Sequence, residues 1–417
     1  MQVPGRVKIL YSSCKRTLQL CPPIRTAHPS IPIHRSCSRA ASPKPGRERP
    51  VRPALFALPP GRPRTTLPAR ATGRIPAPAG VVGQKGREVV GHATLGVVGL
   101  GNMGRGVANN IHRAGYELAV WDVAARALRP FEGKAGVSVL PPAEMARRCA
   151  AIFLVVPGSG EIEAMLRGRG GILANARRGL VLYDLTTSHP IRTKRLAAAA
   201  ARRGVAYLDA GMSGGATGAE TGTLTLMIGG DAAAYGRTRK YLAPFTQNLF
   251  YLGASGAGHT LKLIHNMVCH TIFLATCEGG RMAARAGIRL ENMIAVFNVS
   301  NARSYASQAR FPRHILSGKW DARSRIYNLH KDVGMAVSLA GALGADASLG
   351  KKTLAFLKKA VALGMREKDF ALLYRDFEKI RRGPRPARPR PRPVRSGGAE
   401  RTTGRIPGSR PRPRPPR

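Results

Sequence analysis

Residues 94–122 run through an apolar strand, a glycine turn, a helix, a second apolar strand and a closing carboxylate. The turn is Gly99-Leu100-Gly101-Asn102-Met103-Gly104 and the carboxylate is Asp122. Gly99 permits a tight turn off the strand, Gly101 lets backbone approach a pyrophosphate, and Gly104 lets the helix lie against the strand. The free N–H groups and positive dipole end of that helix favour phosphate. Asp122, about 20 residues on, is placed to accept hydrogen bonds from the adenosine ribose hydroxyls. A GxGxxG alone is a weak signal; with strand, helix and acid in register it specifies a dinucleotide. The carboxylate favours NAD, because a 2′-phosphate would meet negative charge, although the nearby Arg126 keeps NADP open.

A second suggestive position is Lys262, inside the apolar stretch 259–286, which reads as one buried helix. An ammonium there is costly unless something pairs with it. Asn266 lies four residues later on the same face. On the residues alone, a lysine snorkelling to the helix end is the simpler reading. Cys269 follows His265 by one helical turn, but no further ligands share that spacing, so no metal site is expected. Gly211-Met212-Ser213-Gly214-Gly215 fits two chemistries. A serine hydroxyl beside bare backbone N–H groups makes an anion-binding nest. The same run matches the G-x-S-x-G elbow of serine hydrolases, which needs a helix directly after the serine. The residues that follow are rich in glycine and threonine and read as leading into a strand, which speaks against the elbow.

These residues need a scaffold. Strands are expected at 94–98, 117–121, 151–156, 181–185 and 205–209, with helices near 102–114, 124–131, 142–148, 160–166 and 190–203. Strand, helix, strand in succession means right-handed parallel crossovers and a doubly wound sheet. One more strand is expected at Thr223–Ile228. After Gly258 the pattern turns wholly helical, with amphipathic segments at 290–299, 331–343, 351–364 and 367–381. The fold class is therefore α/β, a doubly wound sheet domain over 93–255 followed by an all-α domain over 256–382.

The 417 residues carry a net charge of +46. Residues 1–90 hold 17 Lys and Arg against two acids, and residues 383–417 hold 11 Arg against one acid. Both tails, 1–92 and 383–417, are rich in Arg and Pro, lack periodicity and are expected to be disordered. Such tails could bind nucleic acid or another anionic surface. The first could instead be an organelle-targeting leader. Alternatively both are translated flanks of a GC-rich gene, the reading favoured here because the folded unit begins near Thr94. No apolar run reaches the roughly 18 residues that a membrane span needs. The six cysteines are sparse for this length, which suits a reducing, cytoplasmic setting rather than a disulfide scaffold.

Four segments line up in order: Gly99–Gly104; Asp184-Leu185-Thr186-Thr187-Ser188-His189-Pro190; Asp209–Leu224 around Ser213; and Gly256–Asn266, followed later by Lys331-Asp332. Together they resemble the β-hydroxyacid dehydrogenases, the group of 3-hydroxyisobutyrate dehydrogenase and tartronate semialdehyde reductase, over about 93–382. The resemblance implies a Rossmann-like domain and a helical domain through which dimers or tetramers form. It implies NAD, or else NADP, and a small hydroxy acid as substrate. It places the family's catalytic lysine on Lys262 and its partner asparagine on Asn266, where the asparagine amide would hold the hydroxyl oxygen. It places the substrate-carboxylate clamp on Ser213, Gly214 and Gly215. Thr187 falls near the nicotinamide, Val156-Pro157 on the turn beneath the adenine side, and Lys331 on a lysine that reaches back to cofactor and substrate. Asp332 is expected to cap or anchor its own helix. An amine within reach of the hydroxyl can take its proton, and the ammonium can return it in reduction. Two departures bear on the substrate: His265 replaces a common second asparagine, and Gly211-Met212 replaces Pro-Val. The alternatives are a reductase of tartronate semialdehyde or another short aldehyde acid, and a non-catalytic relative that binds nucleic acid through basic tails. Lys262 argues against the second.

Overall fold

The computed structural model describes residues 93–384; the leader and all but the first two residues of the C-terminal tail lie outside the described residues. The chain begins β1 (Thr94–Val98), α1 (Gly104–Arg113), β2 (Glu117–Trp121), α2 (Ala125–Leu128), β3 (Val137–Val139), α3 (Pro142–Arg148) and β4 (Ala151–Leu154). It continues through α4 (Ser159–Leu166), α5 (Ile172–Asn175), β5 (Val181–Asp184), α6 (Pro190–Ala201), β6 (Ala206–Ser213), α7 (Gly215–Thr221) and β7 (Leu224–Gly229). Next come α8 (Ala232–Thr238), a 3-10 segment (Arg239–Phe245) and β8 (Thr246–Tyr251). Only helices follow: α9 (Ala257–Arg285), α10 (Leu290–Val299), a π-helical segment (Ala306–Leu316), α11 (Ile326–Ala342), α12 (Ser348–Ala362), α13 (Leu372–Arg375) and α14 (Phe377–Arg382).

The eight strands form one sheet in the order β3-β2-β1-β4-β5-β6-β7-β8. All neighbours pair in parallel except β6 and β7. The order reverses between β1 and β4, which opens a crevice at their carboxyl ends, where such sheets bind ligands. Continuous apolar runs explain the central strands: β4 and β5 are buried along their whole length, as a parallel strand covered on both faces must be. One core cluster gathers Leu95, Val97, Phe153, Tyr183 and Phe245 on one face of the sheet, and another gathers Ile152, Leu154 and Leu182 on the other. A separate core of Phe273, Phe311, Phe370 and Ile380 fills the helical region.

Several features depart from the sequence expectation, α5, α8, the 3-10 segment and the π-helical segment among them. The edge strand β3 has three residues, with Ser138 exposed, too few to show a period of two. β8 opens on Thr246-Gln247-Asn248 and none of its residues is buried, so it lacks the apolar length that marks the other strands. Gly215–Thr221 is helical, where the glycines had suggested an irregular lead into the next strand.

One carboxylate joins the sheet to the helices. Asp209, fully buried in β6, accepts hydrogen bonds from Gly256 N–H at 2.7 Å and His259 N–H at 2.9 Å, satisfying donors at the start of α9 that no intrahelical acceptor reaches. Two glycines make the approach possible. A Cβ at Gly258 would sit 2.2 Å from the Met227 carbonyl oxygen, and one at Gly211 would sit 2.5 Å from Lys262 Cβ. We expect Gly258→Ala to lower stability by about 2–3 kcal/mol through backbone overlap. Gly341→Ala, on the exposed end of α11 with open space around it, should raise stability by about 0.5 kcal/mol. Thermal unfolding midpoints of the two variants check both signs.

Candidate active site

The glycine turn after β1 shows what it can hold. A Cβ at Gly99 would lie 2.2 Å from the Val155 carbonyl oxygen, and one at Gly104 would lie 1.7 Å from that of Gly99. A Cβ at Gly101 would meet nothing within 4 Å. The outer glycines therefore close the turn against backbone, and the middle one faces open space. α1 has no side-chain cap and no acid in its first turn, so its N-terminal N–H groups and dipole are left for an anion. Leu100 is buried, Met103 is half-buried, and Asn102 is exposed, its amide donating to the Arg323 carbonyl at 3.4 Å. Asp122 accepts from Leu100 N–H at 2.7 Å and Ala124 N–H at 2.8 Å, one bond to each oxygen. It is thus fixed at the end of β2 with lone pairs to spare for ribose hydroxyls. Glycine spacing, free helix terminus and rigid carboxylate together fit a dinucleotide.

Val156 and Pro157 follow β4 on the other side of the crevice, and Val156 N–H donates to Thr186 Oγ1 at 3.3 Å. Thr187, just past β5, offers its carbonyl to Lys331 Nζ at 3.2 Å. Lys331 comes from α11, so this bond crosses from the helical region to the sheet.

On α9, Lys262 and Asn266 are 8% and 7% exposed and share the inward face. Burial lowers the Lys262 pKa to about 8; Asp332 opposes the shift, and Arg310 and Lys331 add to it. Asn266 donates through Nδ2 to Asp332 Oδ2 at 2.7 Å. Lys331 Nζ lies 2.9 Å from Asp332 Oδ1, an ion contact without the alignment of a hydrogen bond. Of the two roles expected for Asp332, capping its helix fails and anchoring it holds, through the bond to Asn266 on α9. The acid sits mid-helix and braces Asn266 and Lys331 together.

Ser213, Gly214 and Gly215 lie at the end of β6 with both glycines exposed and at positive φ, 126° and 63°. His265 bridges this segment to α9: its Nε2 is 3.4 Å from Ser213 Oγ and its Nδ1 is 3.0 Å from Asn266 Oδ1. Burial, reinforced by Lys262, holds the imidazole pKa below its usual range, so the ring is neutral at physiological pH. Asn266 Oδ1 as acceptor places the proton on Nδ1, which leaves Nε2 to accept from the serine hydroxyl. The helix that a hydrolase elbow requires does follow Ser213. Yet among the described non-glycine residues only Trp320 and Arg323 have positive φ, so Ser213 lacks the strained turn of a nucleophile elbow.

Sequence reasoning missed the network beneath α9. Asp184 is fully buried and accepts from Tyr207 Oη at 2.7 Å and Thr186 N–H at 2.9 Å. Burial pushes its carboxyl pKa up, against the pull of His259. His259 lies 2.8 Å from Thr193 Oγ1 through Nδ1 and 3.2 Å from the Asp184 carbonyl through Nε2. The signal was available in two acids, Asp184 and Asp209, each following an apolar strand run. Among the described residues no group of three or more His, Cys, Asp and Glu is placed to hold a metal ion, and no helix is long and apolar enough to cross a membrane.

Comparison with known proteins agrees with this geometry. Residues 94–253 match the family model of the NAD binding domain of 6-phosphogluconate dehydrogenase. Residues 256–377 match the model described as the NAD-binding domain of NADP-dependent 3-hydroxyisobutyrate dehydrogenase. A Dictyostelium discoideum protein named as a probable mitochondrial 3-hydroxyisobutyrate dehydrogenase is 30% identical over 288 residues, covering 67% of this chain and 89% of its own. The 2-(hydroxymethyl)glutarate dehydrogenase of Eubacterium barkeri is 26% identical over 286 residues, covering 69% and 95%. The solved structure of Mycobacterium tuberculosis 3-hydroxyisobutyrate dehydrogenase with L-serine superimposes with a TM-score of 0.62 at 25% identity, covering 69% of this chain and 99% of that one. The chain belongs to the β-hydroxyacid dehydrogenase family, NAD(P)-dependent oxidoreductases that act on a CH–OH group.

Proposed function

We propose that this enzyme oxidises the hydroxymethyl group of a small β-hydroxy acid of the 3-hydroxyisobutyrate type, with NAD as oxidant and Lys262 as general base. The observation that carries the reading is a buried amine on the face of α9 that also carries Asn266; burial lowers its pKa to about 8, close enough to neutrality to exchange a proton with substrate. Lys262 Nζ takes the hydroxyl proton as the C–O bond gains double-bond character, and returns it when the reaction runs towards the alcohol. Bound nicotinamide supplies the acceptor for the carbon's hydrogen with its electron pair. Asn266, held by Asp332 and His265, keeps one amide N–H free to hold the hydroxyl oxygen. Ser213 and the backbone N–H groups of Gly214 and Gly215 receive the carboxylate. The glycine turn Gly99–Gly104, Asp122 and Val156-Pro157 cradle the dinucleotide, and Thr187 with Lys331 borders its reactive end. The names of the relatives support the substrate class.

We also propose that the enzyme is a homo-oligomer joined along α9. Leu261, Ile264, Val268 and Ile272 form a stripe at helical spacing and are 38–47% exposed, more than isolated surface apolar residues require explanation for.

Lys262→Ala should lower kcat/KM at least about 100-fold, in the range for loss of a general base. NADH binding, followed by fluorescence, should remain within about three-fold. Near-normal turnover in that variant would exclude the role. In the oxidation direction the deprotonated amine is the active form, so log kcat/KM should rise with unit slope below about pH 8 and level off above it. In the reduction direction the same group should give a decline above that pH. Paired initial-rate profiles measure both limbs. Val268→Asp should shift the protein to a smaller species by light scattering, and an unchanged mass would rule out the α9 stripe as the interface.

A further inference from the structure

Arg310 stands out among the cations that bear on Lys262. It projects from the π-helical segment Ala306–Leu316, a widened geometry that is rare and concentrates at functional sites. Its guanidinium carbon lies 4.8 Å from the ring centre of Phe370, 5.6 Å from that of Phe273 and 5.7 Å from that of Tyr305. Three aromatic rings thus surround the group. No carboxylate pairs with it among the described residues, and its Nη1 is buried without a hydrogen-bond partner. His270, 6% exposed on the same face of α9 two turns beyond Lys262, has a buried Nδ1 that also lacks a partner.

Two unpartnered buried nitrogens in one neighbourhood call for a ligand or ordered water, since such groups cost free energy when left unmade. The charges indicate which ligand. The groups acting on Lys262 are the cations Arg310 and Lys331, the carboxylate of Asp332 and the thiol of Cys269. Arg310 also acts on His265 and His270. Asp332 is already engaged by Lys331 and Asn266, so among the described residues Arg310 is the cation of this group left without a carboxylate.

We propose that Arg310, with His270 beside it, forms a second anion-binding subsite, and that the preferred substrate is a β-hydroxy acid bearing a further carboxylate on the side chain of its α-carbon. A guanidinium fork with fixed orientation is suited to bidentate carboxylate recognition. The proposal rests on the reaction assigned above but is separable from it by experiment.

Two acids with a shared core make the test. 3-Hydroxyisobutyrate carries a methyl group where 2-(hydroxymethyl)glutarate carries a propionate arm. The ratio of kcat/KM for the dicarboxylate to that for the monocarboxylate should exceed ten in the unaltered enzyme. It should fall at least thirty-fold in Arg310→Met, which keeps the packed stem, and less in Arg310→Lys, which keeps the charge without the fork. Binding supplies a readout independent of turnover: NADH-loaded enzyme should bind glutarate at least ten-fold more tightly than butyrate, and Arg310→Met should abolish the difference. If Arg310→Met fails to fold, the partial loss in Arg310→Lys decides. Equal binding of glutarate and butyrate, or a turnover ratio unchanged by either substitution, overturns the subsite. Arg310-dependent glutarate binding without oxidation of either acid leaves the subsite standing and removes the assigned reaction.

Discussion

The carboxylate of Asp209, midway along β6, accepts from two N–H groups at the start of α9, and the placing of the α9 side chains in the cleft depends on that junction. Hydrogen bonds to a charged acceptor contribute roughly 1.5–3 kcal/mol each, so the first turn of α9 is pinned to the sheet. Lys262 lies one to two turns further along the same helix, and the bare Cα of Gly211 lets its stem press against β6. Ser213 is two residues beyond Gly211 on that strand. A single strand therefore caps the helix, abuts the amine and ends in the anion nest. The helix contributes the amine on one turn and the imidazole and amide on the next. Precision of this kind requires rigid elements on both sides of the cleft.

Electrostatics complete what the backbone positions. A lysine taken out of water loses hydration that no full ion pair replaces, and its pKa falls. Arg310 and Lys331 push in the same direction, while Asp332 resists. Asp332 is shared between Asn266 and Lys331. That sharing limits how far one carboxylate can stabilise the Lys262 ammonium, and it keeps the amine in a range useful for proton transfer. The same carboxylate orients the Asn266 amide, so orientation and charge are controlled from one atom group.

Much of this was legible in the residues. The glycine turn, its flanking strands and Asp122 could be read because each glycine answers a distinct steric demand. Lys262 could be noticed as a charge in an apolar helix, but its role came from resemblance, because burial and partners are tertiary facts. The part played by Asp332 was half legible: the anchor was anticipated, its partner was not. A Lys-Asp dipeptide carries no sign that its acid will bond a residue 66 positions earlier. The helix at Gly215–Thr221 was overlooked because glycine-rich composition argues against helix locally, whereas packing of α7 against α1 overrides propensity. Gly106 belongs to that contact: a Cβ there would lie 2.6 Å from the Ala219 carbonyl carbon. The π-helical segment left no periodic trace, and with it Arg310 stayed out of sight.

The contacts across the cleft differ in kind from the junction at Asp209. Arg323 pairs with Glu220 through two hydrogen bonds, 2.7 and 3.0 Å, and its carbonyl receives Asn102 from the glycine turn. Both partners of the pair are a third or more exposed, so water screens their attraction and its contribution is small. Arg323 also adopts φ of 57°, a conformation unfavourable for a residue with a side chain. Lys331 reaching Thr187 is a single bond from a flexible stem. These ties can break and re-form at little cost, whereas the buried carboxylate beneath α9 cannot. The helical region is thus fixed to the sheet at one end of the cleft and loosely fastened at the other.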